Sequence, residues 1–367
     1  METCENTLDT FASLTRDTWV EVQGPPGAGK TSLMARLIKM SNERALVATA
    51  SNEAALVIYG KLQALEVPVL LLISSKANEL NPSLRDLNST NYRDSRFKIR
   101  SLPKNAAIIG TTAMIIKMIN PETRHGTISW FDESSSIEGR TLDQWAPRTI
   151  RAFGDKFQLG TYSGQESLAD RLTNEQRTQK IVLNRTYRLS TASLTPLSRF
   201  YPGIKSLAPD QGLRTKGRDI RGCHLVNFRS GTRRSDRSHN VLHEQAYVLH
   251  LAAILQRASI TTLVASPYSA QTLQPGNEKG PARIQTIYAI RGLECEVTLI
   301  SMTHQAMTQF QLQPERLIVA ISRASKATII VGDTNRLQRT VSWFQNSDVW
   351  CPYVLEKALS TNLLTTF

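Results

Sequence analysis

Short apolar runs alternate with amphipathic stretches along most of the chain, and this alternation predicts the elements. Residues 19–23, 44–50, 67–73, 106–111 and 126–131 are apolar runs of strand length. Residues 30–40 carry apolar positions at helical spacing. A second helix is predicted to open at Ser51, whose hydroxyl suits an N-cap. Residues 156–160 and 181–183 read as two further short strands. The rhythm then begins again. Strands are predicted at 223–228, 261–266, 283–286, 296–301 and 327–332, with helices at 239–256 and 314–323. Apolar strands alternating with helices imply parallel sheets covered on both faces, hence an α/β fold. The pattern divides into a first domain over 1–185 and a second over 186–367. The tail from Val341, with Trp343 and Trp350, is expected to pack on the second.

The first strand runs into the stretch that carries the chemistry. Gly24, Pro25, Pro26, Gly27, Ala28, Gly29, Lys30 and Thr31 fit G-x-x-x-x-G-K-S/T, the P-loop. Its glycines free the backbone N–H groups to face a phosphate, and the helix that follows adds its N-terminal dipole. Lys30 can reach the β- and γ-phosphates, the Thr31 hydroxyl can ligate Mg²⁺, and Ser32 lies in the same first turn. Nucleoside triphosphate binding, with ATP as the representative ligand, is the direct reading. Asp132 and Glu133 follow the apolar run 126–131. An acidic pair after a strand is ordinarily a helix start. Downstream of a P-loop it reads as a metal-holding Asp132 and a water-polarising Glu133.

Charge changes the picture further. The 367 residues carry 44 Lys and Arg against 31 Asp and Glu, a formal charge of +13. That balance favours a polyanionic partner. The basic residues cluster. Residues 74–105 break the strand–helix rhythm and hold Lys76, Arg85, Arg93, Arg96, Lys98, Arg100 and Lys104 against Glu79, Asp86 and Asp94. They read as an insertion, either a nucleic-acid contact or a solvated loop. A second basic stretch spans 205–237. No run approaches the length of a membrane span, and no signal peptide is read before the P-loop. Cys4, Cys223, Cys295 and Cys351 lack metal-ligand spacing, which argues against a zinc site and for a reducing compartment.

In order, these stretches resemble the motifs of superfamily 1 helicases, closest to the group of RNA-decay and nidovirus replicative helicases. Residues 23–31 are similar to motif I. Residues 48–55, with Thr49, Ser51 and Asn52, look like motif Ia, and Thr111 and Thr112 look like the next backbone-contacting motif. Asp132 and Glu133 fit motif II. Tyr187-Arg188 fits motif IV, whose Arg approaches the γ-phosphate. Pro267 and Tyr268, with Gln271, resemble a stretch bordering the nucleic-acid channel. Gly292 and Glu294 fit motif V, with the acid near the ribose, and residues 319–323 resemble motif VI, with Arg323 as the finger. Two stretches depart. Motif III carries Gly-Asp, two residues, then Gln; Gly160 is followed by Thr161, and Gln165 as the γ-phosphate sensor lies one position late. Motif V carries Gln-Gly, where this chain has Arg291-Gly292.

The resemblance implies two RecA-like domains and an Mg²⁺- and ATP-dependent helicase or translocase on single-stranded RNA, with DNA as the alternative. It further implies a role in viral RNA replication beside other replication proteins, in the host cytoplasm. Arg188 and Arg323, supplied from the second domain, would complete the nucleotide site of the first. One rival is an NTP-dependent RNA-binding, movement or packaging protein that does not unwind. Another, a small-molecule P-loop kinase, has no use for a second α/β half.

Overall fold

The computed structural model describes Phe11 and residues 17–72, Ile99, 101–161, 163–215, 218–228, 242–272, 283–302, 313–333, Gln338 and 349–362. Lys76, Arg85, Arg93, Arg96, Lys98 and Arg100 of the predicted insertion lie outside the described residues, as do residues 229–241 and Trp343. The chain forms two compact units. The first comprises Met1–Gly24, Gly29–Lys156 and Gly160–Leu183; the second comprises Pro25–Ala28, Phe157–Leu159 and Asn184–Phe367.

The first unit is built on seven strands: β1 (Trp19–Gln23), β2 (Ala45–Thr49), β3 (Val69–Leu72), β4 (Ala107–Thr111), β5 (Ile128–Asp132), β6 (Ile150–Gly154) and β7 (Thr178–Val182). They pair in the order β3-β4-β2-β5-β6-β1-β7, every ladder parallel. Successive side chains along a strand point to opposite faces, and both faces are apolar. Ala45 and Val47 join a cluster with Leu33, Met34 and Ile38 of α1 (Lys30–Ser41) and with Ile58 and Leu62 of α2 (Asn52–Ala64). Leu46 and Ala48 face Ile115 of α3 (Thr112–Met118) and Trp145. This is the parallel sheet with two covered faces that the sequence pattern predicts.

One predicted strand is absent. Residues 156–160 form a turn, and the strand in that region is β6, just upstream. Phe157 and Leu159 alternate with polar neighbours as in a strand, but they lie outside the strand ladders and pack into an apolar cluster of the second unit. In β6 the apolar run is interrupted by Arg151. Its buried guanidinium donates to the carbonyls of Thr18 and Ile150. A charged side chain satisfied by backbone oxygens hides a core strand from a hydropathy reading.

The second unit has β12 (Gly222–Asn227), β13 (Thr262–Ser266), β14 (Ile284–Thr286), β15 (Cys295–Ser301), β16 (Ala324–Gly332) and β17 (Val349–Trp350) in a second parallel sheet, ordered β14-β13-β15-β16-β12-β17. Between the sheets in sequence lie the short parallel pair β8 (Arg185–Thr186) and β9 (Lys205–Ser206), and the hairpin β10 (Leu213–Thr215) and β11 (Arg218–Ile220). The helix predicted over 314–323 ends at Ile321, so Ser322 and Arg323 occupy the turn into β16. The C-terminal helix Pro352–Asn362 buries Leu355 and Leu359 in this unit's core, as expected for the tail.

Phe131, fully buried at the centre of the first sheet with its ring 5.0 Å from that of Trp145, tests this packing. Phe131→Ala should cost about 3–5 kcal/mol in chemical denaturation, the range for emptying a large core site.

Candidate nucleotide-binding site

The order of the first sheet brings the predicted phosphate and metal residues together. β6 separates β1 from β5, and because all three run parallel their carboxyl ends open on one edge. At that edge Gly24 N donates to Gly154 O at 3.2 Å, fixing the start of the phosphate loop against the end of β6. Gly27 and Gly29 have φ of 72° and 80°, left-handed values that other side chains rarely adopt. Gly27 faces a second demand, since a Cβ there would lie 2.4 Å from Arg188 Cβ. Ala28 N donates to Pro25 O at 3.2 Å, and Thr186 Oγ1 donates to Pro26 O at 2.8 Å.

Gly29 precedes α1, whose first turn has neither a side-chain cap nor an acid. Its leading amides are the orphan donors that make a helix N-terminus an anion site. Lys30 Nζ donates to Gly24 O at 2.8 Å, so the ammonium lies folded along the loop. Ser32 Oγ accepts from Lys61 Nζ of α2 at 3.0 Å, a second cation beside the first turn.

Thr31 Oγ1 donates to Asp132 Oδ2 at 3.1 Å. Asp132 closes β5 and is 5% exposed. Burial, followed by the charge of Glu133, raises its pKa from the ordinary 3.8 to about 6. The Thr31 hydroxyl and the Lys30 charge work the other way. Two hard oxygens side by side, one on a carboxylate held out of water, are a donor set that fits Mg²⁺. Among the described residues no three His, Cys, Asp or Glu side chains converge as a softer metal site would require. Glu133 has φ of 54°, a sparsely populated conformation for a non-glycine residue. Ser134 follows it with its hydroxyl buried and without a hydrogen-bond partner; a Cβ at Gly154 would lie 2.2 Å from that oxygen. A side chain at residue 154 would therefore require the Ser134 hydroxyl to shift.

Gln165 lies in an exposed turn that Thr161 Oγ1 closes on the Gln165 carbonyl at 2.6 Å. The spacing Gly-Asp, two residues, Gln is met in full six residues upstream, by Gly154, Asp155 and Gln158. The misplaced strand at 156–160 concealed it. Gln158 Oε1 accepts from Arg323 Nη2 at 3.4 Å.

The second unit gathers the predicted arginines. Arg323, 4% exposed, also donates to Val319 O at 3.1 Å and to Ser322 Oγ at 3.0 Å. Arg188 donates to Ser322 O at 3.2 Å and pairs with Glu294, two residues after Gly292 at φ 80°. Arg291, standing where a Gln was expected, donates to Leu159 O at 2.9 Å.

The predicted nucleic-acid residues of the first unit also converge. β2 and β4 are neighbours with Thr49 paired to Thr111, and Thr112 Oγ1 donates to Thr49 O at 3.3 Å. Ser51 caps α2, with Asn52 as its first residue, and Thr111 caps α3. Thr49 is fully buried, its hydroxyl donating to Ser51 O at 2.8 Å. In the second unit Pro267 follows β13, and Tyr268 is half-buried with its amide on Ser266 Oγ at 3.3 Å.

Two all-parallel sheets, with a phosphate loop after β1 and an acid pair after β5, form the architecture of P-loop proteins. Comparison with solved structures narrows this. The chain matches a crystal structure of arterivirus nonstructural protein 10, a helicase, with TM-score 0.54 and 14% identity over 88% of this chain and 62% of that one. It matches the DNA complex of arterivirus nonstructural protein 10 with TM-score 0.54 and 14% identity, over 88% and 63%. For the PRRSV helicase the TM-score is 0.51 and the identity 16%, over 91% and 56%. The chain thus spans 56–63% of the length of these structures. At such identities the likeness establishes the fold, and it is the fold expected from the resemblance to superfamily 1 helicases. A stretch of 82 residues, 22% of the chain, is 35% identical to an uncharacterized ATP-dependent helicase of Caenorhabditis elegans, of which it covers 5%. No family model matches the chain.

The raised pKa of Asp132 carries a stability prediction. A carboxyl that holds its proton more tightly when folded costs stability as pH rises from its ordinary value through about 6. Asp132→Asn removes that cost. In metal-free buffer it should raise the melting temperature by about 2–4 °C at pH 8 and by less at pH 5.

Proposed function

We propose that the chain is an ATP-dependent motor of the superfamily 1 helicase type, acting on single-stranded nucleic acid. The observation that carries the reading is the Thr31–Asp132 contact, which joins the two halves of a P-loop nucleotide site across β6. RNA is the favoured strand by analogy with the group resembled, as is a role in viral RNA replication. The DNA complex of arterivirus nonstructural protein 10 keeps DNA as the alternative.

Phosphoryl transfer asks a protein for position and charge rather than for covalent chemistry. The amides of Gly27 and residues 29–32 bind phosphate oxygens, that of Ala28 being taken by Pro25 O, with Lys30 leaving Gly24 O for the β- and γ-phosphates. Thr31 and Asp132 would hold Mg²⁺, which would supply charge neutralisation on those phosphates. Glu133 accepts a proton from the attacking water. Gln158 replaces Gln165 as the γ-phosphate sensor, on the strength of its spacing from Gly154 and its contact with Arg323. By the resemblance to the helicase motifs, Arg323 and Arg188 would take the roles of charge compensation at a γ-phosphate and Glu294 that of the ribose contact.

Ser51, Thr111 and Thr112 offer hydroxyls, Asn52 a carboxamide and α2 its N-terminus to a sugar–phosphate backbone, and Tyr268 offers a stacking ring; Thr49, fully buried with its hydroxyl on Ser51 O, does not reach such a strand. Binding through such groups is salt-dependent and indifferent to sequence.

Hydrolysis of ATP measured with and without single-stranded RNA or DNA tests the reading. Stimulation by the strand supports it, and unstimulated hydrolysis contradicts it. Opening of a tailed duplex supports unwinding; stimulated hydrolysis that never opens one assigns the chain to non-unwinding translocases. Lys30→Ala should abolish hydrolysis. Arg323→Ala should slow it about 10³-fold with nucleotide binding retained, whereas loss of binding alone would contradict the finger role.

A further inference from the structure

β1 carries a buried acid that the nucleotide chemistry leaves unused. Glu21 sits in mid-strand, fully buried between β6 and β7. A carboxylate there needs partners for both oxygens. It has them: Gln23 Nε2 donates to Oε1 at 2.6 Å, and Thr173 Oγ1 donates to Oε2 at 3.2 Å. The first bond fixes the Gln23 side chain, because only its NH₂ can face a carboxylate. The amide oxygen is therefore turned away from Glu21, and it accepts the backbone N–H of Lys156 at 3.1 Å.

Gln23 is also the last residue before the phosphate loop. Its neighbour Gly24 donates to Gly154 O and accepts from Lys30 Nζ. Lys156 lies between Gly154 and Gln158. The turn after β6 is thus held twice from β1, at Gly154 by the backbone of residue 24 and at Lys156 by the side chain of residue 23.

We propose that Gln23 is a positioning residue, oriented by Glu21, that sets the Gly154–Gln158 turn relative to the phosphate loop and so places Gln158 for hydrolysis. The inference rests on the proposed ATPase reading and extends it to two residues that touch neither nucleotide nor metal. The pair is local to this chain's chemistry. Burial raises the Glu21 pKa, Lys180 on β7 and the bonds from Gln23 and Thr173 oppose that, and Asp170 adds to it. The Gln23 amide therefore offsets part of the cost of burying the acid while it holds the turn.

A role in placing Gln158 predicts a split in the kinetics. Gln23→Met, of similar length and without hydrogen bonds, should lower kcat for ATP by about 10²-fold, the cost of misplacing a reacting group by about 1 Å. KM should stay within about twofold, since the phosphate loop is unchanged. Glu21→Leu should reproduce that loss, and Glu21→Gln, which still offers an oxygen to the Gln23 amide, should restore most of the turnover. A merely structural role would show as matched losses in melting temperature, with kcat unchanged in the folded fraction, and would overturn the proposal. Amide hydrogen exchange decides independently of activity. In Gln23→Met the Lys156 amide should exchange at least about tenfold faster, with the strand amides of β1 and β6 unaffected. Unchanged exchange at Lys156 overturns the relay even in an active enzyme. Absence of hydrolysis by the wild type would refute the ATPase reading and leave the exchange result to judge the relay.

Discussion

A carboxylate taken out of water must be neutralised, hydrogen-bonded or protonated. Asp132 is such a group. At the end of β5, 5% exposed, it receives the Thr31 hydroxyl and feels the Lys30 charge, and still its pKa rises to about 6. Fixing this group beside Thr31 requires β1 and β5 to end on the same edge, with β6 between them. That in turn requires the parallel order of the first sheet. Gly154, at the end of β6, then has to meet the buried Ser134 hydroxyl with no side chain of its own. Strand order, a glycine and a buried acid are consequences of one demand: a desolvated anion held where a cation can reach it.

The second unit shows the complementary arrangement. Arg323 is buried among the Val319 carbonyl, the Ser322 hydroxyl and Gln158. Arg188 leans on the Ser322 carbonyl and Glu294. Guanidinium groups drawn out of water need acceptors for their fixed fork of donors, and here main-chain carbonyls, a serine hydroxyl and polar side chains supply them.

The fold was legible because both sheets are parallel and buried on both faces, so most strands survive as unbroken apolar runs. β2, β3 and β4 are of this kind. β6 was not legible, because Arg151 is buried by donating to backbone carbonyls, which hydropathy does not register. With that strand hidden, the Gly-Asp, two residues, Gln spacing that ends at Gln158 goes unread, seven residues before Gln165. The phosphate loop and the acid pair were readable because their chemistry is local in sequence. The Glu21–Gln23–Lys156 connection was not, since the residues it joins lie 133 positions apart. A mid-strand acid in an otherwise apolar run was its one visible sign.

Thr31 and Asp132 are proposed to hold the Mg²⁺ of a bound nucleotide. Calorimetric binding of a nonhydrolysable ATP analogue, with Mg²⁺ and with chelator, addresses it directly. Wild-type affinity should be at least about tenfold higher with Mg²⁺, near 1.4 kcal/mol, with no Mg²⁺ dependence in Asp132→Asn. Equal wild-type affinity with and without Mg²⁺ would contradict it.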